Sequence, residues 1–597
     1  MSKYKFDPKI YQQELIEIAK ELALSESLSK KYIDRVIKKH PQDGNKVFSR
    51  DKLILGLKWL WKNGLVDFDQ AKLKHIIKCL KLKPTRSISG VTTVTVLTKP
   101  FACPGKCIFC PNDVRMPKSY IATEPGAQRA LMNRFSPYLQ VWNRLKALQN
   151  IGHPTDKIEL LVLGGTWSYY PEKYKVWFIE ECFRAMNDFG KNLKNTSDKI
   201  IEIKEYLQND YNDELRKETG DKPYNQLIQT PQFKNHFKKF LSPEPNLELD
   251  ILWKKLEEEQ VKNSKGKVRC VGLVLETRPD CITPQETLRL RKLGATKIQL
   301  GIQTLDDKIS ELNKRGETKK DTINAFKLLR SAGFKIHAHI MPNLYGSNPK
   351  TDLKVYKELF SSPNFRPDEI KIYPASIIKH TELEKLYKEG KYKPYSTNEL
   401  VDLVAKCIEV TPEYCRITRV IRDIPSTEIT SGNKTTNLRE VAEDKLKRED
   451  RPNRNIRARE IKNQKINLKE LKLDQIKYET INSLEYFLQF ITNDRKIAGF
   501  LRLSVPKQFK NPITSELDDC AIIREIHVYG PSLGINTKSF GEAQHLGLGT
   551  KLIKRAEEIA KKYNFPKLAV ISSIGTREYY KKRGFELIKL YQIKELF

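Results

Sequence analysis

Val91-Thr92-Thr93-Val94-Thr95-Val96-Leu97-Thr98, followed shortly by Cys103-Pro104-Gly105-Lys106-Cys107-Ile108-Phe109-Cys110, decides the fold. The first run is dominated by β-branched residues and reads as a strand. The cysteines, at C-x3-C-x2-C spacing, therefore lie on a loop at its C-terminal end. Three thiolates can hold three irons of a 4Fe–4S cube and leave the fourth iron without a protein ligand. An iron open in this way can chelate and reduce a small molecule. Zinc is the competing reading, but structural zinc wants four ligands, usually in two separated pairs. Cys79, Cys182, Cys270, Cys281, Cys407, Cys415 and Cys520 are instead scattered singly.

Beyond this loop, strand-like and helix-like stretches alternate. Strands are expected at 91–98, 158–164, 268–277, 296–303, 334–341 and 369–374. Helices are expected at 125–149, 171–189, 284–293, 319–332 and 352–359. Such alternation means a parallel sheet, and right-handed crossovers curl it into a full or partial barrel. Chemistry then collects at the C-terminal strand ends, where the βα loops converge. Those ends carry the three cysteines, Gly164-Gly165-Thr166, Glu276-Thr277-Arg278-Pro279-Asp280, Gln303-Thr304 and His337-Ala338-His339. Polar groups at the ends of otherwise apolar strands are costly unless they serve a site.

At 597 residues the chain is too long for one core, and about three or four domains are expected. No apolar run approaches a membrane span, and the N-terminus lacks the apolar core of a secretory signal. Ten cysteines in this length are not a disulfide scaffold, so a reducing, cytoplasmic location is expected. Lys+Arg number 108 against Asp+Glu 74, a formal net charge of +34. That surplus suits a polyanion, most simply nucleic acid. A Lys- and Asn-rich composition throughout would also produce it.

Residues 1–83 read as a basic helical module, and 84–390 as the barrel with a polar insert at about 191–267, a surface elaboration by default. Residues 391–476 read as a helical, arginine-rich linker. In Arg451-Pro452-Asn453-Arg454-Asn455-Ile456-Arg457-Ala458-Arg459 every basic residue is arginine, which points to phosphate contact more than bulk lysine does. Residues 477–597 change grammar: strands at 486–492 and 496–505 around Asn493-Asp494, then a strand at 520–529. Gln544-His545-Leu546-Gly547-Leu548-Gly549 follows, then a helix from Thr550. Glycines between a strand and a helix free backbone amides for a pyrophosphate at the helix N-terminus, and coenzyme A carries one.

The cysteine spacing resembles the radical S-adenosylmethionine (SAM) superfamily, and the last segment, with Tyr579-Tyr580-Lys581-Lys582-Arg583-Gly584-Phe585, resembles the GNAT acetyltransferases. Together they resemble the Elongator catalytic-subunit family. The carriers include Lys83-Pro84, Ser87-Ile88-Ser89-Gly90, Thr98-Lys99-Pro100, Gly152-His153, Asn437-Leu438-Arg439, Glu525-Ile526-His527-Val528-Tyr529-Gly530 and Gly575-Thr576-Arg577. The resemblance implies an α/β chain: a (βα)6-type partial TIM barrel, then a GNAT domain, with the basic helical module in front. It implies a [4Fe-4S] cluster on Cys103, Cys107 and Cys110, with SAM at the open iron beside Gly164, Gly165, Thr166, Glu276 and Gln303. It implies acetyl-CoA at Lys157, Glu525, Ile526, His527, Val528, Gln544, Gly547, Leu548, Gly549, Thr550, Tyr579 and Tyr580, with Tyr580 catalytic. A 5′-deoxyadenosyl radical would activate the acetyl methyl for addition to carbon 5 of a tRNA wobble uridine, giving carboxymethyluridine. The tRNA anticodon stem-loop is then the partner, alone or with Elongator-like subunits or a second copy. Where archaeal members place zinc-binding cysteines, residues 453–460 have none, so structural zinc is expected to be absent. The alternative is a protein lysine acetyltransferase using the GNAT domain alone.

Overall fold

A computed structural model describes residues 6–25, 27–42, 46–81, 90–191, 193, 211–219, 222–238, 241–461, 470–529 and 547–597. Near the N-terminus α1 (Gln12–Leu24), α2 (Lys30–Lys39), α3 (Arg50–Lys62) and α4 (Gln70–Leu80) surround their own core, which includes Leu15, Ile18, Ile33, Leu53 and Leu57. Ser29 and Asp69 cap α2 and α4 by accepting from Tyr32 and Lys72 N–H, groups that a helix start otherwise leaves unpaired.

The barrel sheet contains β1 (Thr92–Leu97), β2 (Lys157–Leu163), β3 (Arg269–Thr277), β4 (Lys297–Gln303), β5 (Lys335–Ile340), β6 (Glu369–Ile372) and β7 (Arg416–Val420). All neighbours pair parallel in that order. Six of these strands match the expected ones. β7 is an addition, taken from a segment read as linker: Arg416-Ile417-Thr418-Arg419-Val420 alternates, but its arginines mask a strand that faces a polar interior. The expected helix at 125–149 is two helices, Pro125–Met132 and Pro137–Asn150. Arg134 and Phe135 turn through positive φ, Ser136 caps Leu139 N–H, and Pro137 opens the second helix, as its fixed φ favours.

The insert is not a surface elaboration. Its helices Tyr211–Thr219, Tyr224–Leu227 and Pro231–Lys238 share a core with Leu97, Val114 and Met116 around the cysteine loop, through Tyr224, Leu227 and Phe237.

The C-terminal sheet comprises β8 (Lys472–Glu479), β9 (Ser483–Ile491), β10 (Ile497–Pro506), β11 (Cys520–Val528), β12 (Lys567–Val570), β13 (Glu586–Ile588) and β14 (Tyr591–Glu595), in the order β8-β9-β10-β11-β12-β14-β13. The parallel register of β11 with β12 runs from Cys520↔Lys567 to Ile523↔Val570 and stops, so the strands part beyond it. A bulge at Arg502/Leu503 bends β10 against β11 at the same level.

The barrel strands are less apolar inside than their composition suggested. Lys297 and Gln299 on β4, His337 and His339 on β5, and Glu369 and Lys371 on β6 are all buried and recur at every second residue, the period of one strand face. They fill the lumen with charge.

Candidate active site

At the C-terminal rim, β1 runs into the cysteine loop. The neighbouring Cys107 and Cys110 thiols shift each other in opposite directions. The Cys110 thiol and the cationic Arg315, Arg278 and Lys118 draw Cys107 down to about 5, against burial. The Cys107 thiol and burial push Cys110 up. Arg315 Nη1 lies 3.7 Å from Cys107 Sγ, Ser119 Oγ 3.4 Å from Cys110 Sγ, and Thr166 Oγ1 3.4 Å from Cys103 Sγ. A Cβ on Gly105 would strike the Arg278 guanidinium, so that residue is glycine because a cation packs over the loop. Arg422, just past β7, reaches Glu124 at 2.7 Å and the Ser119 carbonyl, joining the last strand to the loop after the first.

Gly164, Gly165 and Thr166 share this rim. Gly164 has a local reason to be glycine, since φ is +149° and a Cβ would collide with the Thr98 hydroxyl. Gln303, at φ +63°, holds a buried Oε1 with no hydrogen-bond partner, a cost that persists where a ligand supplies the missing donor. Burial pushes the Glu276 carboxyl up, and its oxygen lies 3.8 Å from His339 Nδ1.

The remaining expected residues gather at the opposite end. Lys157, Glu525–Val528, Gly547, Gly549, Thr550, Tyr579 and Tyr580 line one cavity of about 1520 Å³. Leu548 opens the helix Leu548–Lys562, whose N-cap, Gly547, is left-handed at φ +69°, a conformation glycine adopts freely. Gln544 lies outside the described residues. Arg583 stacks on Tyr579 at 3.6 Å, donates to Thr550 Oγ1 at 3.3 Å, and keeps a buried Nε without a partner. Burial lowers His527 to about 4, so the imidazole is neutral at physiological pH, and its Nε2 is buried and unpartnered. Burial likewise raises Tyr580, keeping its phenol protonated.

The same cavity is walled by Glu159, Lys297, Lys335, Glu369, Arg416 and Thr418 from the N-terminal halves of the barrel strands. Above it, separate groups of polar contacts occupy the lumen. Lys335 reaches Glu525 at 2.5 Å and Glu369 at 3.3 Å. Lys297 reaches Glu159 at 2.8 Å and Glu369 at 3.1 Å. His337 joins Thr418 at 2.8 Å. Gln299 Oε1 takes Lys371 at 2.6 Å and His339 at 3.0 Å, and His339 in turn approaches Glu276 at the rim to 3.8 Å. The sequence reading missed Lys297, Lys335, Glu369, Lys371, Arg315 and Arg583. The i, i+2 polar alternation on β4–β7 was the available signal; Arg315 sits in no motif.

Of the four arginines at 451–459, one serves the interior and another is taken up in ion pairs at the surface. Arg459 is buried and donates to the Glu413 carbonyl and Gln489, and Arg451 pairs with Glu409 and Glu449. Arg454 and Arg457 remain exposed. Arg459 is thus a packing device, because arginine's five donors satisfy carbonyls at a junction of elements.

Three family profiles match: the radical SAM superfamily over 235–359, the radical SAM C-terminal domain over 367–448, and the acetyltransferase (GNAT) family over 456–585. A tRNA uridine(34) acetyltransferase of Methanocaldococcus infernus is 37% identical over 541 residues, covering 88% of this chain and 89% of the relative. An Elongator complex protein 3 of Danio rerio is 32% identical, covering 89% and 90%. The chain belongs to this Elongator protein 3 family. A solved Methanocaldococcus infernus Elp3 lacking residues 1–46 aligns with TM-score 0.64 at 32% identity, over 85% of this chain and all of the other.

As an Elongator protein 3 family member the chain is an enzyme of the radical SAM and acetyltransferase kind. Its families imply a 4Fe–4S cluster, SAM and acetyl-CoA, and the residues present suit them. The cysteine loop offers three thiols, with Arg315, Arg278 and Lys118 favouring the Cys107 thiolate. The rim holds the orphaned Gln303 oxygen. The helix N-terminus at Gly547 faces the spare Arg583 donor, a setting for a pyrophosphate. Among the described residues no three His, Cys, Asp or Glu side chains converge as a single-ion site, and no helix is long and apolar enough to cross a membrane.

Proposed function

We propose that this enzyme builds a carboxymethyl group on carbon 5 of the wobble uridine of tRNA, taking the two carbons from acetyl-CoA. The observation that carries the proposal is the shared cavity: the acetyltransferase loop and the foot of the barrel lumen wall one space, and the barrel carries the cysteines at its other end. The relatives' names supply the substrate, tRNA uridine 34. A GNAT domain acting alone on protein lysines gives no reason for its acyl site to open into a barrel.

When bound, the cluster and SAM supply a carbon-centred radical able to take hydrogen from an unactivated methyl. This chain's residues do the rest. The amides at Gly547–Thr550 and Arg583 hold the pyrophosphate, and Tyr579 and Tyr580 wall the acyl arm. The parted edge of β11 at Glu525–Val528 offers backbone groups to the arm's amides. The neutral His527 and Tyr580 present hydrogen-bonding groups toward the thioester, and the lumen aims the acetyl end at the rim. There Gly164, Gly165, Thr166, Glu276 and Gln303 hold SAM against the loop of Cys103, Cys107 and Cys110. The helical module near the N-terminus, with the Lys30, Lys31, Lys38 and Lys39 pairs, and the exposed Arg454 and Arg457 bind the anticodon stem-loop backbone, and the uridine leaves its stack to enter the site. The test is nucleoside mass spectrometry of tRNA incubated with the protein, SAM, acetyl-CoA and reductant. Carboxymethyluridine should appear, and should vanish with Cys110→Ala. Product formed equally well by that variant would refute the assignment.

A further inference from the structure

The insert helices meet the cysteine loop at one point that packing alone does not require. Asn225 turns its side-chain amide onto the backbone of Cys103 and satisfies both groups: Cys103 N–H donates to Oδ1 at 3.1 Å, and Nδ2 donates to the Cys103 carbonyl at 2.7 Å. This is the pairing a neighbouring strand would give, made by one side chain. The next residue, Pro104, has no N–H to contribute to a local turn. The helices that carry Asn225 are themselves tied to the loop. Tyr224 donates to the Met116 carbonyl at 2.6 Å and Arg216 to that of Asn112 at 3.4 Å, over the core shared with Leu97 and Val114. The other two cysteines are held from elsewhere: Ile108 N–H donates to the Asn313 carbonyl at 3.2 Å, Arg315 contacts Cys107, and Ser119 contacts Cys110.

We propose that the helices of residues 211–219 and 222–238 are a clamp on the cluster loop, with Asn225 the positioning residue that fixes Cys103 as a ligand. The proposal rests on the reading that Cys103, Cys107 and Cys110 hold an iron–sulfur cluster. A loop residue tied at both its N–H and its C=O has little conformational freedom left to lose when its thiolate binds iron. Freed of Asn225, Cys103 is the thiolate that detaches first, and the cluster leaves through that corner.

The test uses full-length, anaerobically reconstituted protein and follows decay of the cluster absorption in excess iron chelator. Partners that orient metal ligands are typically worth about 10–100-fold, so Asn225→Leu should lose the cluster at least about tenfold faster than wild type. Asn225→Asp keeps the acceptor for Cys103 N–H and loses the donor to its carbonyl, and should fall between the two. Gln226→Ala, at the exposed neighbour, should decay at the wild-type rate. Thermal unfolding of the iron-free proteins reports on the insert's folding. If Asn225→Leu is destabilised, the near-isosteric Asp variant decides. Wild-type decay rates in both Asn225 variants would overturn the clamp. Wild-type protein that takes up no iron would overturn the cluster reading and the clamp with it.

Discussion

Lys335 Nζ, at the foot of the fifth barrel strand, lies 2.5 Å from Glu525 Oε1 on the acetyltransferase sheet. Glu525 also accepts from Arg502 Nε at 2.8 Å. Just behind, Asp368 and Glu485 share Arg524 and Arg330, and Asp368 also meets Arg502, all with side chains at most 2% exposed. Charges from both sheets meet in one buried network, with Arg524 and Arg502 of the acetyltransferase sheet on Asp368 of the barrel, so the two halves are one folding unit with a cavity between them.

Asp368→Asn should therefore cost about 3–5 kcal/mol, the penalty for unpairing buried charge, because three arginines lose their common anion. Calorimetry should show one transition shifted downward. Two separated transitions would show that the halves fold independently.

The junction should also be acid-labile. Burial opposes ionisation of Asp368, Glu485 and Glu525, and the arginines and Lys335 overcome it, holding all three below their ordinary range. Depressed carboxylates contribute stability that is full above the unfolded value and lost as pH falls through the folded one. Melting temperature should be flat from pH 7 to 5 and fall below about pH 4. A steep loss already between pH 7 and 6 would contradict this.

Lys371 titrates within the working range. Burial brings its ammonium down to about 8, with Arg419 and Lys297 adding to the effect against Glu276. If the charged form donates to the substrate from the lumen, kcat/KM should fall above pH 8. Lys371→Arg should carry that limb to higher pH, and Lys371→Met should abolish it and lower kcat/KM by about 100-fold, as for a lost proton donor. An unchanged limb in Lys371→Met would assign it elsewhere.

Gly549 sits where a Cβ would strike the Tyr579 hydroxyl, and Tyr579 is stacked by Arg583. Gly549→Ala should push the ring off the helix N-terminus and weaken acetyl-CoA about tenfold, or about 1.4 kcal/mol by calorimetric titration, with iron content unchanged. Wild-type affinity would remove the pyrophosphate from this loop.

Much of this was legible in the sequence, for physical reasons. A β-branched run marked the first barrel strand, the alternation of strand-like and helix-like stretches marked the barrel, and the cysteine spacing and glycine loop marked both ends of the site. What stayed hidden depended on tertiary placement. Arg416–Val420 looked like linker because its partners in the lumen are charged. Arg459 looked like a phosphate ligand but satisfies carbonyls inside. The insert looked like surface until Tyr224, Leu227 and Phe237 were seen to share the core of the cysteine loop. No local pattern foretells that Asn225 would meet Cys103 across more than a hundred residues.

The central claim is that the acetyl methyl held by one fold reacts at the rim of the other. Acetyl-CoA deuterated on its methyl tests it directly, in a reaction with tRNA, SAM and reductant. The account predicts deuterium in the 5′-deoxyadenosine released from SAM and two deuteriums in the carboxymethyluridine. Unlabelled 5′-deoxyadenosine, or acetyl groups appearing on lysine with the uridine unmodified, would contradict it.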